Sequence, residues 1–398
     1  MFCQLEVLRH CFPSSVRHIL GELPESLDET YERILREIRK PNQGHAHRLL
    51  QCLVAAVRPL RVEELAEVLA FDFDVEGIPK LNLGWRWENR EEAVMSACSS
   101  LVMIVKDGDS RVVQFSHFSV KEYLTANRLA HPIKDVSRYH IRLEAAHTVL
   151  VQACLGVLLR LDDRVDSGSI KNFPLAKYAA QYWPTHARYE NASSRVEDGM
   201  KCLFDAYKPH FATWLWIYNE DRSKDMFWGS MSTRRPEEPG AVPLYYASKL
   251  GLGELVGHLV TERRWYVNAR GGIEVTPIHA AAFEGHVDIL AVLLEHGADL
   301  DGQGLCGETP LHRAFRNGQL KAGNYLLDRG AYVNARNNND QTPLTVAVMR
   351  GDAQAVQLLL EHGADANVRD ESGRTLSQLT RKREILKLLS DYGVKSIK

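Results

Sequence analysis

The 398-residue sequence lacks the features that mark membrane and secreted proteins. Its most apolar window, residues 145–159, is interrupted by His147 and Gln152 and falls short of the roughly 20 residues that span a bilayer. The N-terminus, MFCQLEVLRHC, has neither the basic start nor the apolar run of a signal peptide. The seven cysteines are odd in number and never spaced as CxxC, which is typical of reduced thiols. We therefore expect a cytoplasmic protein without membrane contact, in which the sequon at Asn191 is a chance match.

An excess of charge of one sign is also missing. The chain has 49 basic and 51 acidic residues, and its formal net charge is -2. This balance creates no overall field that would attract nucleic acid or an anionic membrane, so either partner would need a local patch. The length exceeds what one compact core supports and predicts two or three domains, or a domain followed by a repeat array.

Sequence motifs that carry common chemistry do not occur. The dipeptide Gly-Lys is absent, so the chain cannot form a P-loop, whose lysine and hydroxyl hold the terminal phosphate and magnesium. The GxSxG, HExxH and DHHC motifs are absent as well. His45 and His47 flank Ala46 without a nearby cysteine or carboxylate pair, which favours a helix surface over a metal site. We predict no catalytic residue, no metal site and no cofactor in this chain.

A 33-residue period organises the C-terminal part of the chain. Threonine recurs at this interval, and each of the first three opens a T-P-[IL] tripeptide. The threonine can cap a helix that the proline begins, and a glycine about nine residues later suits the left-handed residue that ends it. A second helix with a leucine pair follows, so each unit is a helical hairpin. The recurring residues are Thr276, Thr309, Thr342 and Thr375, with Gly285, Gly318 and Gly351.

Such hairpins cannot bury their apolar faces alone and must stack into a solenoid with an extended concave surface. The tripeptides extend to TPIHAA and TPLHRA, which resemble the ankyrin signature T-P-L-H-x-A, and to the variant TPLTVA. The resemblance implies about five ankyrin repeats over residues 241–398, the first and last degenerate. The polar segments between units, such as residues 331–341, are expected to project as fingers, and the repeats to bind a protein partner.

Two histidines in TPIHAAAFEGH, His279 and His286, lie two helical turns apart and raise the question of a metal or catalytic pair. The repeats answer it, because the position of His279 is filled by His312 and then by Thr345 in the next two units. A shared zinc site could not tolerate threonine there. We therefore expect His279 to hydrogen-bond to the capping Thr276 and to stiffen the first turn.

The first N-terminal helix begins at a capping-box pattern, Ser26 with Glu29 in LPESLDETYERIL. Its apolar residues recur on one helical stripe, and Pro41 and Gly44 are expected to stop it. Two further helices, AHRLLQCLVAAV and VEELAEVLAF, are separated by a short turn. Together they predict a helix-turn-helix unit.

A β-hairpin is predicted next, with two β-rich runs around the turn at residues 107–110. Ser119 and Glu122 are placed to cap the helix that follows. Helices followed by a hairpin predict a winged-helix domain over residues 21–130. The helix before the hairpin, WENREEAVMSACSS, is acidic, whereas groove binding needs lysine and arginine. Nucleic-acid binding is therefore disfavoured, and a packing and regulatory role is expected.

These N-terminal segments, with NFPLAKYAAQYWPTHAR and VEDGMKCLFDAYKPHFATWLWIY, resemble the winged helix and helical linker that follow the NACHT domain in fungal signal-transduction NTPases of the NOD-like type. A related winged helix is named after GPI inositol-deacylases. The resemblance implies a helical linker domain over residues 131–235 and the remnant of an NTPase domain over residues 1–20. For the family it implies nucleotide-gated oligomerisation with the repeats as sensor, although the P-loop is missing here.

Aromatic residues near the end of the linker allow two interpretations. They could form a ligand-binding cage, but their spacing favours core packing between the linker and the first repeat. These residues are Trp214, Trp216, Tyr218, Phe227 and Trp228.

The expected fold class is mainly α: a winged-helix module with a small β-hairpin, a helical linker domain and an ankyrin-repeat solenoid. Two functions remain open. The first is a non-catalytic interaction scaffold or sensor that binds a partner through the ankyrin fingers and groove. The second is the sensor half of a NACHT-type NTPase switch whose nucleotide-binding part is missing from this chain, and which would oligomerise only with that domain.

Partner contacts are expected at residues that apolar stacking does not need, because exposed loops often carry function. Arg313 and Arg316 should then be replaceable together by alanine without loss of the fold. The alternative, that these positions are merely solvated, stays open. The predicted partner-binding residues are Arg313, Arg316, Arg336, Asn337, Asn338, Asn339, Asp340, Met349, Arg369, Asp370 and Glu371.

Overall fold

The computed structural model describes residues 26–75, 77–130, 135–222, 243–262, 267–271 and 275–393. The chain divides into two compact units, residues 1–235 and 236–398. Two predicted features lie outside the described residues: the NTPase remnant at residues 1–20, and the aromatic pair Phe227 and Trp228.

The first part of the N-terminal unit is helical. The Ser26 hydroxyl accepts a hydrogen bond from the Glu29 amide at 3.2 Å and so caps the first helix, as predicted. Tyr31 and Leu35 from the apolar stripe of this helix are buried. The helices of this part are α1 (Leu27–Glu37), α2 (Gln43–Ala55), α3 (Val62–Val68), α4 (Arg90–Cys98) and α5 (Phe118–Thr125).

A three-stranded antiparallel sheet completes the winged helix. Its strands are β1 (Leu60–Arg61), β4 (Val102–Asp107) and β5 (Ser110–Phe115), in the order β1-β5-β4. The predicted hairpin is β4 and β5, and Gly108 at φ +57° allows its tight turn. The strands β2 (Phe71–Asp72) and β3 (Lys80–Leu81) form a separate antiparallel pair.

Two predicted helix boundaries are wrong. The chain bends at Pro41 in a 3-10 turn, Lys40–Asn42, so Gly44 falls in the first turn of α2 instead of stopping α1. Ser119 does not cap α5, because His117 takes that place and its Nδ1 accepts the Ser119 amide at 3.3 Å. The Ser119 hydroxyl lies 2.7 Å from the hydroxyl of Tyr31 on α1, a contact between distant segments that the local pattern does not reveal.

The second part of the N-terminal unit is the predicted helical linker region. Its helices are α6 (Leu143–Leu158), α7 (Ala176–Ala187), α8 (Glu197–Leu203) and α9 (His210–Arg222). Trp214 is buried against Trp183 and Phe204, and its indole Nε1 donates to the Ala180 carbonyl at 3.0 Å. Because Trp216 and Tyr218 are buried as well, these three residues pack in the core and do not form a cage.

The C-terminal unit consists of stacked helical hairpins. In its first four repeats, first helices pack more closely on one another than second helices do, so the first helices form one continuous layer. The pairs are α10 (Pro243–Lys249) with α11 (Gly253–Glu262), α12 (Pro277–Glu284) with α13 (Val287–Glu295), α14 (Pro310–Arg316) with α15 (Leu320–Asp328), α16 (Pro343–Arg350) with α17 (Ala353–Glu361), and α18 (Leu376–Leu379) with α19 (Arg383–Asp391).

Buried histidines join neighbouring repeats. His279 Nδ1 lies 2.8 Å from the Thr276 hydroxyl, which confirms the predicted pairing, and its Nε2 lies 3.0 Å from the Glu308 carbonyl of the next repeat. His312 makes the equivalent contact with the Gln341 carbonyl at 2.9 Å. We assign Nε2 as the donor, since a carbonyl can only accept. Burial lowers the pKa of His279 to about 4, so the ring is neutral near pH 7.

Candidate partner-binding surface

Three fingers share one closing hydrogen bond. A backbone amide donates to the carbonyl four residues later: Gly304 to Glu308 at 2.9 Å, Asn337 to Gln341 at 3.0 Å, and Asp370 to Arg374 at 3.1 Å. Each finger also has a residue at positive φ near its tip, namely Gly307, Asp340 and Gly373. The three fingers therefore share this hydrogen bond and the positive φ near the tip, while the first of them has a second residue at positive φ, Cys306.

Glu308, a residue outside the predicted set, directly precedes the N-cap Thr309 at the start of the third repeat. Its side chain is only 5 % exposed, and Oε2 lies 2.9 Å from Arg313 Nε. Arg316 Nε donates to Glu308 Oε1 at 2.6 Å. A buried carboxylate needs such partners, because an unpaired buried charge costs several kcal/mol. The two arginines therefore contribute to the stability of the fold, and the expectation that both can become alanine without loss of the fold stays a prediction that unfolding measurements test.

Met349 occupies the position equivalent to Arg316 in the next repeat. It is 55 % exposed, and the Gln341 amide lies 3.5 Å from its sulfur. Gln341 occupies in the fourth repeat the position that Glu308 occupies in the third. The contact between finger and first helix therefore recurs in the fourth repeat, but between neutral side chains. Met349 is thus an exposed apolar side chain beside the polar Gln341 and the exposed Arg350.

The predicted residues in the finger of the fourth repeat divide into two groups. Asn337 is 7 % exposed, and its Oδ1 accepts the amides of Asn339 and Gln341 at 3.0 and 2.9 Å, so it holds the turn together. Arg336 pairs with Asp340 across the tip at 2.6 Å, and both are about half exposed. Asn338 and Asn339 are exposed at the tip.

In the finger of the fifth repeat, Asp370 has a role similar to that of Asn337. Its carboxylate accepts the backbone amides of Ser372 and Arg374 and pairs with the Arg374 guanidinium at 2.7 Å. Arg369 donates to the Gly373 carbonyl at 2.8 Å, while the side chain of Glu371 is exposed. Arg369 and Glu371 are thus the members of the predicted set that this finger presents to solvent.

Two cations outside the predicted set lie near the ends of first helices: Arg350 is the last residue of α16, and Lys382 lies between α18 and α19. Arg350 Nη1 donates to the Arg316 carbonyl at 2.8 Å, and Lys382 Nζ donates to the Gly351 carbonyl at 2.6 Å. Both side chains are exposed. The repeat numbering could have found them, because Lys382 lies 33 residues after Met349 and Arg350 follows Met349 directly. Residues 303–317, 336–350 and 369–383 are termed the inner segments below; they contain the fingers and first helices of repeats three to five and, in the last repeat, also the loop after α18 and Arg383, the first residue of α19.

A buried polar cluster in the N-terminal unit is a second place where chemistry could occur. The fully buried His186 lies 2.9 Å from His147 through their Nδ1 atoms and 2.9 Å from the Tyr178 hydroxyl through Nε2. Burial lowers the pKa of His186 to about 3, so this imidazole is neutral near pH 7. The ring nitrogens are satisfied inside the fold, which is typical of a packing network.

The described part of the chain has neither a metal-ligand cluster nor a membrane-spanning helix. Among those residues no group of three or more histidine, cysteine, aspartate or glutamate side chains is placed to hold a metal ion. No described helix is long and apolar enough to cross a membrane. Cys52, Cys98 and Cys154 are buried free thiols, and burial raises the pKa of Cys52 to about 12.

Family models match a part of each unit. Residues 31–133 match the GPI inositol-deacylase winged helix domain. Residues 244–337 and 326–379 match ankyrin repeats. These matches agree with the helices, wing and stacked hairpins described above.

Three relatives cover different parts of the chain. The azaphilone pigments biosynthesis cluster protein L of Monascus ruber is 34 % identical over 297 residues, which are 71 % of this chain and 61 % of that protein. The ankyrin repeat domain-containing protein 49 of Bos taurus is 33 % identical over 91 residues, 22 % of this chain and 38 % of that protein. The human palmitoyltransferase ZDHHC13 is 28 % identical over 127 residues, 30 % of this chain and 19 % of that enzyme.

The chain therefore spans about three fifths of the Monascus protein and smaller shares of the other two. Fold, repeat geometry and family matches agree on one assignment. The chain is a mainly helical protein in which a winged helix of the GPI inositol-deacylase type is followed by ankyrin repeats.

Proposed function

We propose that this chain is a non-catalytic interaction scaffold or sensor that binds a partner protein through the inner segments of its ankyrin repeats. Ankyrin repeats in general mediate protein interactions, and stacked repeats offer an extended concave surface for that purpose. The winged helix and the helical linker would then serve as the structured base from which the repeats are presented, in a cytoplasmic protein.

The exposure of Met349 is the observation that supports this proposal most directly. An apolar side chain that is 55 % exposed gains free energy when a partner covers it. The exposed Asn338 and Asn339 lie on the finger of the same repeat. Interfaces commonly place an apolar contact inside a polar rim, and these residues supply both.

A capture experiment with the full chain tests the proposal. We expect that proteins retained by the wild type from an extract of the source organism are lost when Met349→Glu and Asn338→Glu are combined, because both changes place charge in the contact area. The matched control is Gln357→Glu with Ser390→Glu, which adds the same charge to exposed positions on second helices. If the control loses the same proteins and the first variant keeps them, the partner binds elsewhere.

The alternative is the sensor half of a NACHT-type NTPase switch. The similarity of the N-terminal half to the winged helix and linker of such proteins favours it, and the absence of the Gly-Lys dipeptide argues against nucleotide binding by this chain. Titration calorimetry with ATP and magnesium separates the two ideas. Saturable binding would contradict a purely non-catalytic scaffold, and we expect none.

A further inference from the structure

The ankyrin unit separates its charges between two groups of segments. The inner segments contain nine lysine and arginine residues against four carboxylates, a balance of +5. The remaining described residues of this unit contain five basic and thirteen acidic residues, a balance of -8. The nearly neutral total charge of the whole chain conceals this separation. A cationic surface on an otherwise acidic unit attracts an acidic partner and orients it.

Arg350 and Lys382 are cations that a partner can use at low cost. Neither has a carboxylate within ion-pair distance among the described residues, unlike Arg313 and Arg316. Each is held by a carbonyl at or just after the end of the preceding first helix, where the helix dipole is negative. Side chains that are already fixed lose less conformational entropy on binding than mobile ones do.

The spacing of the repeats determines what kind of acidic ligand fits. Packed helices lie about 8–10 Å apart, and an extended chain rises about 3.3 Å per residue. One repeat therefore corresponds to about three residues of an extended peptide. Arg316, Arg350 and Lys382 follow one another from repeat to repeat along this direction. Nucleic acid carries its phosphates at a denser spacing than this row of cations.

We propose that the inner segments bind an extended acidic segment of a partner protein, with carboxylates at about every third residue placed against Arg316, Arg350 and Lys382. This inference rests on the proposed function and specifies its partner. The exposed Met349, beside Arg350, contacts the apolar or small residues between the carboxylates.

Fluorescence anisotropy with labelled synthetic peptides and the full chain tests the proposal. One 12-residue peptide repeats Glu-Gly-Ser, and a second has the same composition with its glutamates in one block. A third replaces each glutamate by lysine, and an oligodeoxynucleotide of equal charge serves as a further polyanion. We expect saturable binding of the spaced acidic peptide, weaker binding of the blocked peptide and the oligonucleotide, and none of the lysine peptide.

Matched variants locate the binding site. Arg350→Gln with Lys382→Gln removes two cations from the row, and Lys321→Gln with Lys387→Gln removes two exposed cations from second helices. We expect the first variant to weaken binding of the spaced peptide by about fivefold, as for the loss of two exposed ion pairs, and the second by less than about twofold. Thermal unfolding of each variant checks that the fold is retained.

Several results would overturn the proposal. These are absence of saturable binding, equal binding of the spaced peptide, the blocked peptide and the oligonucleotide, and equal losses in both variants. The proposed function is tested separately. If a partner is lost with the Met349 and Asn338 variant but retained by Arg350→Gln with Lys382→Gln, the proposed scaffold function stands and the proposal of an acidic ligand is wrong.

Discussion

At the scale of single residues, Glu308 shows how a buried charge is tolerated. Its carboxylate is almost fully enclosed and is neutralised by two arginines of the same repeat. The same arginines were predicted to contact a partner, and Arg316 remains 43 % exposed and can still do so. Their structural role means that a loss of binding after substitution has to be separated from a loss of stability.

Replacing Arg313 and Arg316 together by alanine should lower the free energy of unfolding by about 3 kcal/mol, because it leaves Glu308 buried without a partner. Adding Glu308→Gln should recover part of that loss, since a neutral amide is less costly to bury. Urea unfolding measures both. The control is Arg336→Ala, which removes an exposed pair with Asp340 and should cost less than about 1 kcal/mol. If the double variant is as stable as this control, the two arginines do not stabilise the buried Glu308 carboxylate.

His279 makes the stability of the repeats depend on pH. Burial holds its pKa at about 4 in the folded chain, below the ordinary 6.5, so protonation favours the unfolded state. The contribution is fully present above pH 6.5 and is lost as the pH falls toward 4. Between pH 7 and pH 5 the wild type should lose about 2 kcal/mol more stability than His279→Thr, which places the residue of the fourth repeat in the second. Equal pH dependence of the two proteins in urea unfolding would show that this imidazole does not titrate as expected.

At the scale of elements, the glycine that ends each first helix serves two purposes. Gly318 has φ +72°, a conformation that other residues adopt at a cost, and a Cβ there would lie 2.5 Å from Arg350 Nη2. The same glycine therefore ends one helix and makes room for the cation of the next repeat. Gly363, at φ +81° after a second helix, has no heavy atom within 4 Å of the position of a Cβ.

Gly318→Ala should consequently destabilise the chain more than Gly363→Ala. We expect about 1–2 kcal/mol for Gly363→Ala from backbone strain alone, and a larger loss for Gly318→Ala, because Arg350 must also move. Thermal unfolding monitored by circular dichroism compares the two. Combining Gly318→Ala with Arg350→Ala should reduce the additional loss. If both glycine variants are equally stable, Arg350 moves aside without cost.

At the scale of the whole molecule, the two units differ in how their polar groups are used. In the N-terminal unit, the buried His186 lies within hydrogen-bond distance of the half-buried His147. In the ankyrin unit, buried histidines bond across repeats, and cations collect on the inner segments. The first arrangement favours a rigid base and the second a repeating surface for a ligand.

The sequence by itself determined the features that depend on neighbouring residues. The 33-residue period, the capping threonines, the helix-ending glycines and the hairpin at residues 107–110 follow from local backbone preferences, and each lies where it was predicted. The pairing of Thr276 with His279 also belongs here, because its partners are one helical turn apart.

Only the tertiary structure decided which polar side chains are available to a partner. Asn337 and Glu308 look like exposed finger residues in the sequence, yet one holds a turn and the other is buried between two arginines. The repeat numbering points to Arg350 and Lys382, but only the structure shows that each is fixed by a carbonyl 34 or 31 residues earlier, in another repeat. The physical reason is that side chains become buried and paired only when repeats stack. The distances between stacked repeats cannot be read from the residue spacing along one helix.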